Sequence, residues 1–290
     1  MIEYHADDYG MFPASSRRII DCIENGCING ISLMPNGACF SECMGILQKE
    51  CTRSVRLSIH LNLITERPLC DPGKIPDLVN EEGLFSVTYG KILAASLVPS
   101  TRRRYKEQIK AELGKQIDTC LPYLREQGSV RLDSHRHIHM VPVVFEAIQE
   151  LTDEKALNVS YIRIVHERSA YYRNIGQFEC LRPVNVIKAM LLNYLGFIDR
   201  IRCPRLYAKG TADFASILFS GCMTKKNVRM ILENTSKCRS GSREDLELML
   251  HPGAVFEAKD LERINDAEDR KYLADPMRIK EAEACRASAD

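Results

Sequence analysis

The order of apolar runs along the chain predicts an α/β fold with a mostly parallel sheet. Short β-like runs alternate with longer stretches of helical periodicity, as they do where helices form the crossovers between parallel strands. Residues able to bind a metal or move a proton also recur where a β-like run ends, the place where α/β barrels and open α/β sheets gather their sites. A chain of 290 residues suffices for a barrel built as one unit, and 45% hydrophobic content supports a full core, so one domain over 1–290 is expected.

Residues 2–6 read as a short buried strand leading into Asp7 and Asp8. "SSRRIIDCIENG" follows as a helix with Ile19, Cys22 and Ile23 on one face, Ser15 or Ser16 as its cap and Gly26 as its stop. "GISLM" (30–34) is the next strand, and after "PNG" a helix runs through Phe40, Met44 and Leu47. "VRLSIH" (55–60) alternates, with Val55, Leu57 and Ile59 on one side and Arg56, Ser58 and His60 on the other. Residues 66–90, rich in Pro, Gly and charge, read as a long loop or lid. The longest helix, about 100–126, places Tyr105, Ile109, Leu113, Ile117 and Leu121 at every fourth position. "SVRLD" (129–133) is a strand running into "SHRHIHM", "VVFEAIQEL" is helical, and "YIRIV" (161–165) is a strand. Residues 166–215 read as an irregular insertion carrying one helix near 184–196. Thr224 caps a helix to about 235, "LELML" (246–250) is the last strand, and the charged tail from 258 reads as helical and solvated on one face.

Composition excludes several function classes. Forty basic side chains nearly cancel thirty-nine acidic ones, which leaves no electrostatic case for nucleic acid or an anionic membrane. The run Arg102, Arg103, Arg104 reads as the solvated face of a helix. "IKAMLLNYLGFI" is too short and too interrupted to span a bilayer, and "MIEYHADDYG" has no secretory features. No Gly-rich phosphate loop follows the first strand. Twelve scattered cysteines without a C-x-x-C pair predict a cytoplasmic protein with reduced thiols, several of them, such as Cys22, buried as small hydrophobes.

Two adjacent carboxylates repel each other, and strands disfavour aspartate, so an isolated Asp7–Asp8 pair would read as a turn or cap. Other strand ends change that reading. His60 ends "VRLSIH", His135 follows the strand that closes with Asp133, and His251 follows "LELML". In an extended chain His135, His137 and His139 would share one face and crowd one another unless a cation, carboxylate or solvent relieved them. One carboxylate and two imidazoles leave open positions on a divalent ion, as catalytic sites require. Adjacent aspartates of a strand point to different sides, so one can ligate while the other accepts a proton from bound water. Asp133 is then a partner that orients an imidazole. His5 and His166 read as hydrogen-bonded structural residues.

With these residues in place, the chain resembles the YdjC/ChbG family of carbohydrate deacetylases. The resemblance rests on "ADDYG" (6–10), "HLNLIT" (60–65), "DSHRHIH" (133–139) and "HPG" (251–253), with smaller echoes at Asn36, "ELGKQI" (112–117) and Glu247. It implies a distorted, TIM-like (β/α) barrel that removes an N-acetyl group from an amino sugar or short oligosaccharide. Carried over by motif, Asp8, His60 and His135 would hold one divalent ion, magnesium or zinc. Asp7 would be the base that activates water, and His251 the acid or the oxyanion's partner. Asp133, Asn36, His137, Arg163 and Glu247 would orient these groups or touch the sugar. A homodimer and a small carbohydrate substrate complete the expectation. His5 stands where Asn commonly precedes "ADD", and Ser58 where a small Gly is usual; neither is a proposed ligand. No Trp is present for sugar stacking, a role open to Tyr and Phe. Competing readings are a metal-dependent amidohydrolase or phosphoesterase on a similar barrel, and a non-catalytic sugar-binding protein.

Overall fold

The computed structural model of the chain describes residues 1–238, 245–255 and 257–287. Its strands are β1 (Ile2–Tyr9), β2 (Gly30–Leu33), β3 (Arg56–Leu61), β4 (Val130–Ser134), β5 (Val159–Ile162), β6 (Asp213–Ala215) and β7 (Leu246–Leu250). They form one curled sheet in the order β5-β4-β3-β2-β1-β7-β6, and every pairing is parallel. Read around the curl this is sequential order, the arrangement of a (β/α) barrel. Its seam lies between β5 and β6, where a single parallel bridge joins Glu167 to Phe214. The expected distorted barrel is therefore what the chain forms.

Helices follow the strands as crossovers, and five of them begin on proline: Pro13–Glu24, Pro99–Cys120, Pro142–Glu154, Pro183–Arg202 and Pro204–Tyr207. Proline suits the first helical position, where its missing N–H leaves nothing unpaired. The first helix accordingly starts at Pro13, ahead of the expected serine cap, with Phe12 at the capping position and no side-chain cap. Ser15 Oγ instead donates to the Phe12 carbonyl and Ser16 Oγ accepts from Gly10 N. Ile19, Cys22 and Ile23 are buried as the periodicity predicts. The long helix ends at Cys120 and passes into a 3-10 turn at Leu121–Leu124. Residues 66–90 are tied to that helix, with Glu112 accepting from the N–H groups of Leu69 and Cys70 and Gln108 from that of Asp77.

Two readings need correction. The segment 166–215 contains Pro183–Arg202, longer than the helix expected there, and it also holds β6. Three residues are too few for an alternating pattern to register. The thiols are not all reduced: Cys180 and Cys222 form a disulfide, and ten cysteines remain free. The tail is helical and solvated on one face as expected, with Asp269, Leu273, Arg278 and Glu281 buried on the other.

The apolar core lies between the sheet and its helices, while the interior of the curl is polar. Glu3, His5, Asp7, Ser32, His60, Asp133, Arg163 and Glu247 are all buried there and bonded to one another. Glu167 holds the seam: its carboxylate accepts from the N–H groups of Ser216 and Leu218 and from the Tyr172 hydroxyl. Burial pushes its carboxyl up to about 7, against the hydrogen bonds that favour the charged form. The native state therefore binds a proton that the unfolded chain, with a value near 4.5, has released. Stability from this group falls as pH rises between those values. Glu167→Gln should remove that slope, gaining on the wild type by up to roughly 3 kcal/mol between about pH 5 and about pH 8. Paired unfolding curves at each pH measure it, and a difference that stays constant with pH contradicts it.

Candidate functional site

In a regular strand Asp7 and Asp8 would face opposite sides of the sheet. They do not. Asp8 adopts φ +66°, in the left-handed region that aspartate tolerates better than most residues, and the β1–β2 register shifts between Ala6 and Tyr9. Both carboxylates consequently line one cavity of about 440 Å³ at the carboxyl ends of the strands, together with His60, His135, His137 and His251. The expectation that the two would point apart is corrected by this kink.

Asp8 Oδ1 lies 3.0 Å from His135 Nδ1 and 3.3 Å from His60 Nε2. Donor atoms of the three residues all fall within 4.8 Å of one another. The remaining nitrogen of each imidazole meets a carboxylate: His60 Nδ1 is 2.6 Å from Asp133 Oδ1, and His135 Nε2 is 2.9 Å from Asp269 Oδ2. Such a partner takes the N–H and leaves the other nitrogen's lone pair turned inward, the usual arrangement behind a metal-binding histidine. Burial disfavours imidazolium, yet the surrounding carboxylates outweigh it, holding His60 up at about 9 and His135 at about 10. Burial would likewise raise Asp8, but the two imidazoles hold it well below the usual carboxylate range. A field that retains protons this firmly also favours a metal cation. The mixed oxygen and nitrogen donor set thus fits a divalent ion.

Arg163, fully buried just beyond β5, organises the carboxylates beneath. Its Nη1 and Nη2 each donate to one oxygen of Asp7 at 2.8 Å, its Nε donates to Glu247 at 2.6 Å, and Nη2 lies 3.3 Å from Asp133. Burial opposes ionisation of Asp7, but the guanidinium brings it down to about 2. Asp7 is therefore charged at neutral pH, fixed in orientation and weakened as a base. His5 bonds Glu3 and Ser32, in keeping with its structural reading.

The three histidines of "DSHRHIH" do not share a face. After Ser134 the chain turns into a 3-10 segment, His135–Met140, in which Arg136 and His137 are left-handed. His135 faces Asp8. His137 lines the cavity with Nδ1 unbonded and its ring edge-on to Phe214, and burial, with Arg163 nearby, holds it neutral. His139 turns back to Ser134 and to the carbonyl of Arg163. Asn36 lies outside the cavity lining, its amide spent on the carbonyls of Thr65 and Arg67 and on Asn62. Glu247 sits deep in the interior, bonded to Arg163 and Tyr161.

His251 lines the opposite wall, edge-on to Tyr272. Burial lowers its pKa despite the nearby Asp8 and Asp7, so the imidazole is neutral at neutral pH. Its Nδ1 lies 3.1 Å from the Tyr272 hydroxyl, and its backbone N–H donates to Glu281. Sequence reasoning missed both Asp269 and Tyr272. They lie in "AEDRKYL" (267–273), whose charge pattern matches any solvated helix, and its one local signal is Asp266 capping through the Asp269 N–H.

A family profile described as YdjC-like protein matches residues 2–288. A protein of Clostridium beijerinckii named carbohydrate deacetylase is 28% identical over 173 residues, 59% of this chain and 63% of that protein, so the match spans less than two thirds of its length. One of the same name from Thermoanaerobacter pseudethanolicus is 26% identical over 67% of this chain and 75% of its own. A solved structure from Enterococcus faecalis V583, described as a cellobiose-phosphate cleavage protein, aligns with a TM-score of 0.61 at 16% identity. It covers 98% of this chain and 90% of that one, a likeness of fold alone. With the profile running over nearly its whole length, the chain belongs to the YdjC-like protein family.

Proposed function

We propose that the protein is a metal-dependent carbohydrate deacetylase, hydrolysing the N-acetyl group of an amino sugar or short N-acetylated oligosaccharide to acetate and the free amine. The observation that carries this reading is the convergence of Asp8, His60 and His135 on one point, with Asp7 and His251 around the same cavity. Asp8, His60 and His135 would hold one divalent ion, magnesium or zinc. Such an ion, when bound, supplies Lewis acidity toward the acetamide oxygen and brings the pKa of a bound water toward neutrality. Asp7, kept ionised and aimed by Arg163, accepts the proton of the attacking water. His251, neutral and across the cavity, offers its ring N–H to the oxygen that gains charge, and the proton that Asp7 takes from water passes to the departing amine. Tyr89 and Tyr272 in the cavity wall offer the aromatic surface that a Trp-free chain needs for a sugar ring.

Purified protein should release acetate from a panel of N-acetylated mono- and disaccharides, lose that activity to a chelator and regain it with a divalent metal. Asp7→Asn should keep the metal yet turn over roughly two to four decades more slowly, whereas Asp8→Ala should lose metal and activity together. Release of phosphate instead of acetate would favour the phosphoesterase reading. Sugar binding by a protein that takes up no metal would favour the non-catalytic one.

A cytoplasmic location belongs to the same proposal. No described helix is long and apolar enough to cross a membrane, while the Cys180–Cys222 disulfide is the one feature that runs against a reducing compartment. A homodimer is also part of it, and helix Pro183–Arg202 supports that expectation. Ile187, Met190, Tyr194, Phe197 and Ile201 repeat at three- and four-residue steps on its outer face and are 59–68% exposed. This is the spacing of a helix–helix seam. The stripe offers on the order of 700 Å² of apolar surface, close to the ~800 Å² that each partner of a stable complex contributes. A second copy meeting it across a twofold axis would cover both stripes at once. Light scattering should therefore give twice the 32.9 kDa chain mass. Tyr194→Glu with Phe197→Glu should return the monomer with its helix content intact, and a wild type monomeric at tens of micromolar would refute the assembly.

A further inference from the structure

The short helix Ala267–Leu273 reaches the cavity from the tail and touches two imidazoles on opposite sides of it. Asp269 and Tyr272 are three residues apart and so share one helix face. Asp269 Oδ2 lies 2.9 Å from His135 Nε2, while its Oδ1 accepts from Arg136 Nε and Nη2 at 3.1 and 2.7 Å. The carboxylate is buried, and Asp266 fixes the first turn by accepting from the Asp269 N–H. Tyr272 accepts at its hydroxyl from Arg278 Nη1 at 2.6 Å. A guanidinium can only donate, and the Ser220 hydroxyl that also bonds the phenol can donate as well, so the tyrosine's own proton is available to His251 Nδ1 at 3.1 Å.

We propose that Asp269 and Tyr272 are positioning residues that set the tautomers of the two imidazoles from one helix. Asp269 takes the Nε2–H of His135, so that the proton a cation displaces is the one on Nδ1, beside Asp8. Tyr272 donates to Nδ1 of His251 and leaves the proton on Nε2, where it serves as a donor. The tail is thus part of the reaction centre: a two-turn element specifies one nitrogen as an acceptor for a cation and another as a donor to substrate. The inference rests on the deacetylase reading for the cation and the substrate, but the His251 tautomer is a property of the chain, and so is the partner that keeps the second proton of His135 on Nε2.

Two variants with separate readouts test it. Against a chromophoric chelator, Asp269→Asn should weaken zinc binding about ten- to a hundred-fold, the usual loss when the partner behind a metal histidine is removed. Tyr272→Phe should leave zinc affinity unchanged. In nitrogen-15 spectra of labelled histidine in the metal-free protein, with the His251 signals identified by their loss in His251→Gln, the wild type should show Nε2 protonated, and Tyr272→Phe should redistribute that proton. Both variants should melt within a few degrees of the wild type. If zinc affinity in Asp269→Asn and the His251 tautomer in Tyr272→Phe are both unmoved, or if both variants lose zinc equally because the helix has come away, the inference fails. If the wild type binds neither zinc nor magnesium, the deacetylase reading fails, and the His251 tautomer still decides the Tyr272 half.

Discussion

A single buried guanidinium fixes the geometry on which the rest of the site depends. Arg163 carries the charge that allows Asp7 and Asp133 to be ionised side by side although both are buried, and its Nε is spent on Glu247. Carboxylates so close would otherwise raise one another's pKa, and one would hold a proton. An ion pair of this kind is weak as a stabiliser, because desolvation consumes much of the Coulombic gain, whereas removing one partner alone is costly. Its value here is orientation. A forked donor accepts one arrangement of Asp7, and that arrangement aims the carboxylate at the cavity.

From Arg163 outward, each polar group constrains the next. Asp133 takes a proton of His60, His60 and His135 converge on Asp8, and Asp269 secures the far side of His135. The barrel interior is a column of paired charges instead of the packed aliphatic layers usual in such barrels, and acidic groups outnumber guanidinium groups near its mouth. The proposed cation site follows from that excess. The sheet brings the imidazoles in from β3 and the end of β4, and the kink at Asp8 brings in the carboxylate.

The seam between β5 and β6 is the least regular part of the sheet, and the long helix Pro183–Arg202 crosses it. That helix lines the cavity with Lys188, Leu191 and Leu192 while its outer face carries the exposed apolar stripe. A barrel whose last strands are short leaves room for a helix with two apolar faces. It also explains why periodicity alone read this region as irregular.

The sequence by itself determined the alternation of strands and helices, the strand-end positions of Asp7, Asp8, His60, His135 and His251, and the apolar faces of the crossover helices. These follow from local periodicity, which each segment carries without reference to any other. Three features were settled only by the tertiary structure. Asp8 turns left-handed, so neighbouring carboxylates share a cavity; His137 and His139 leave the line of His135; and the tail brings Asp269 to His135 across 134 residues and Tyr272 to His251 across 21. None of these has a local signature. A left-handed residue is stable only when its surroundings hold it there, and a carboxylate on a charged helix looks like any solvated one until the fold buries it beside its partner.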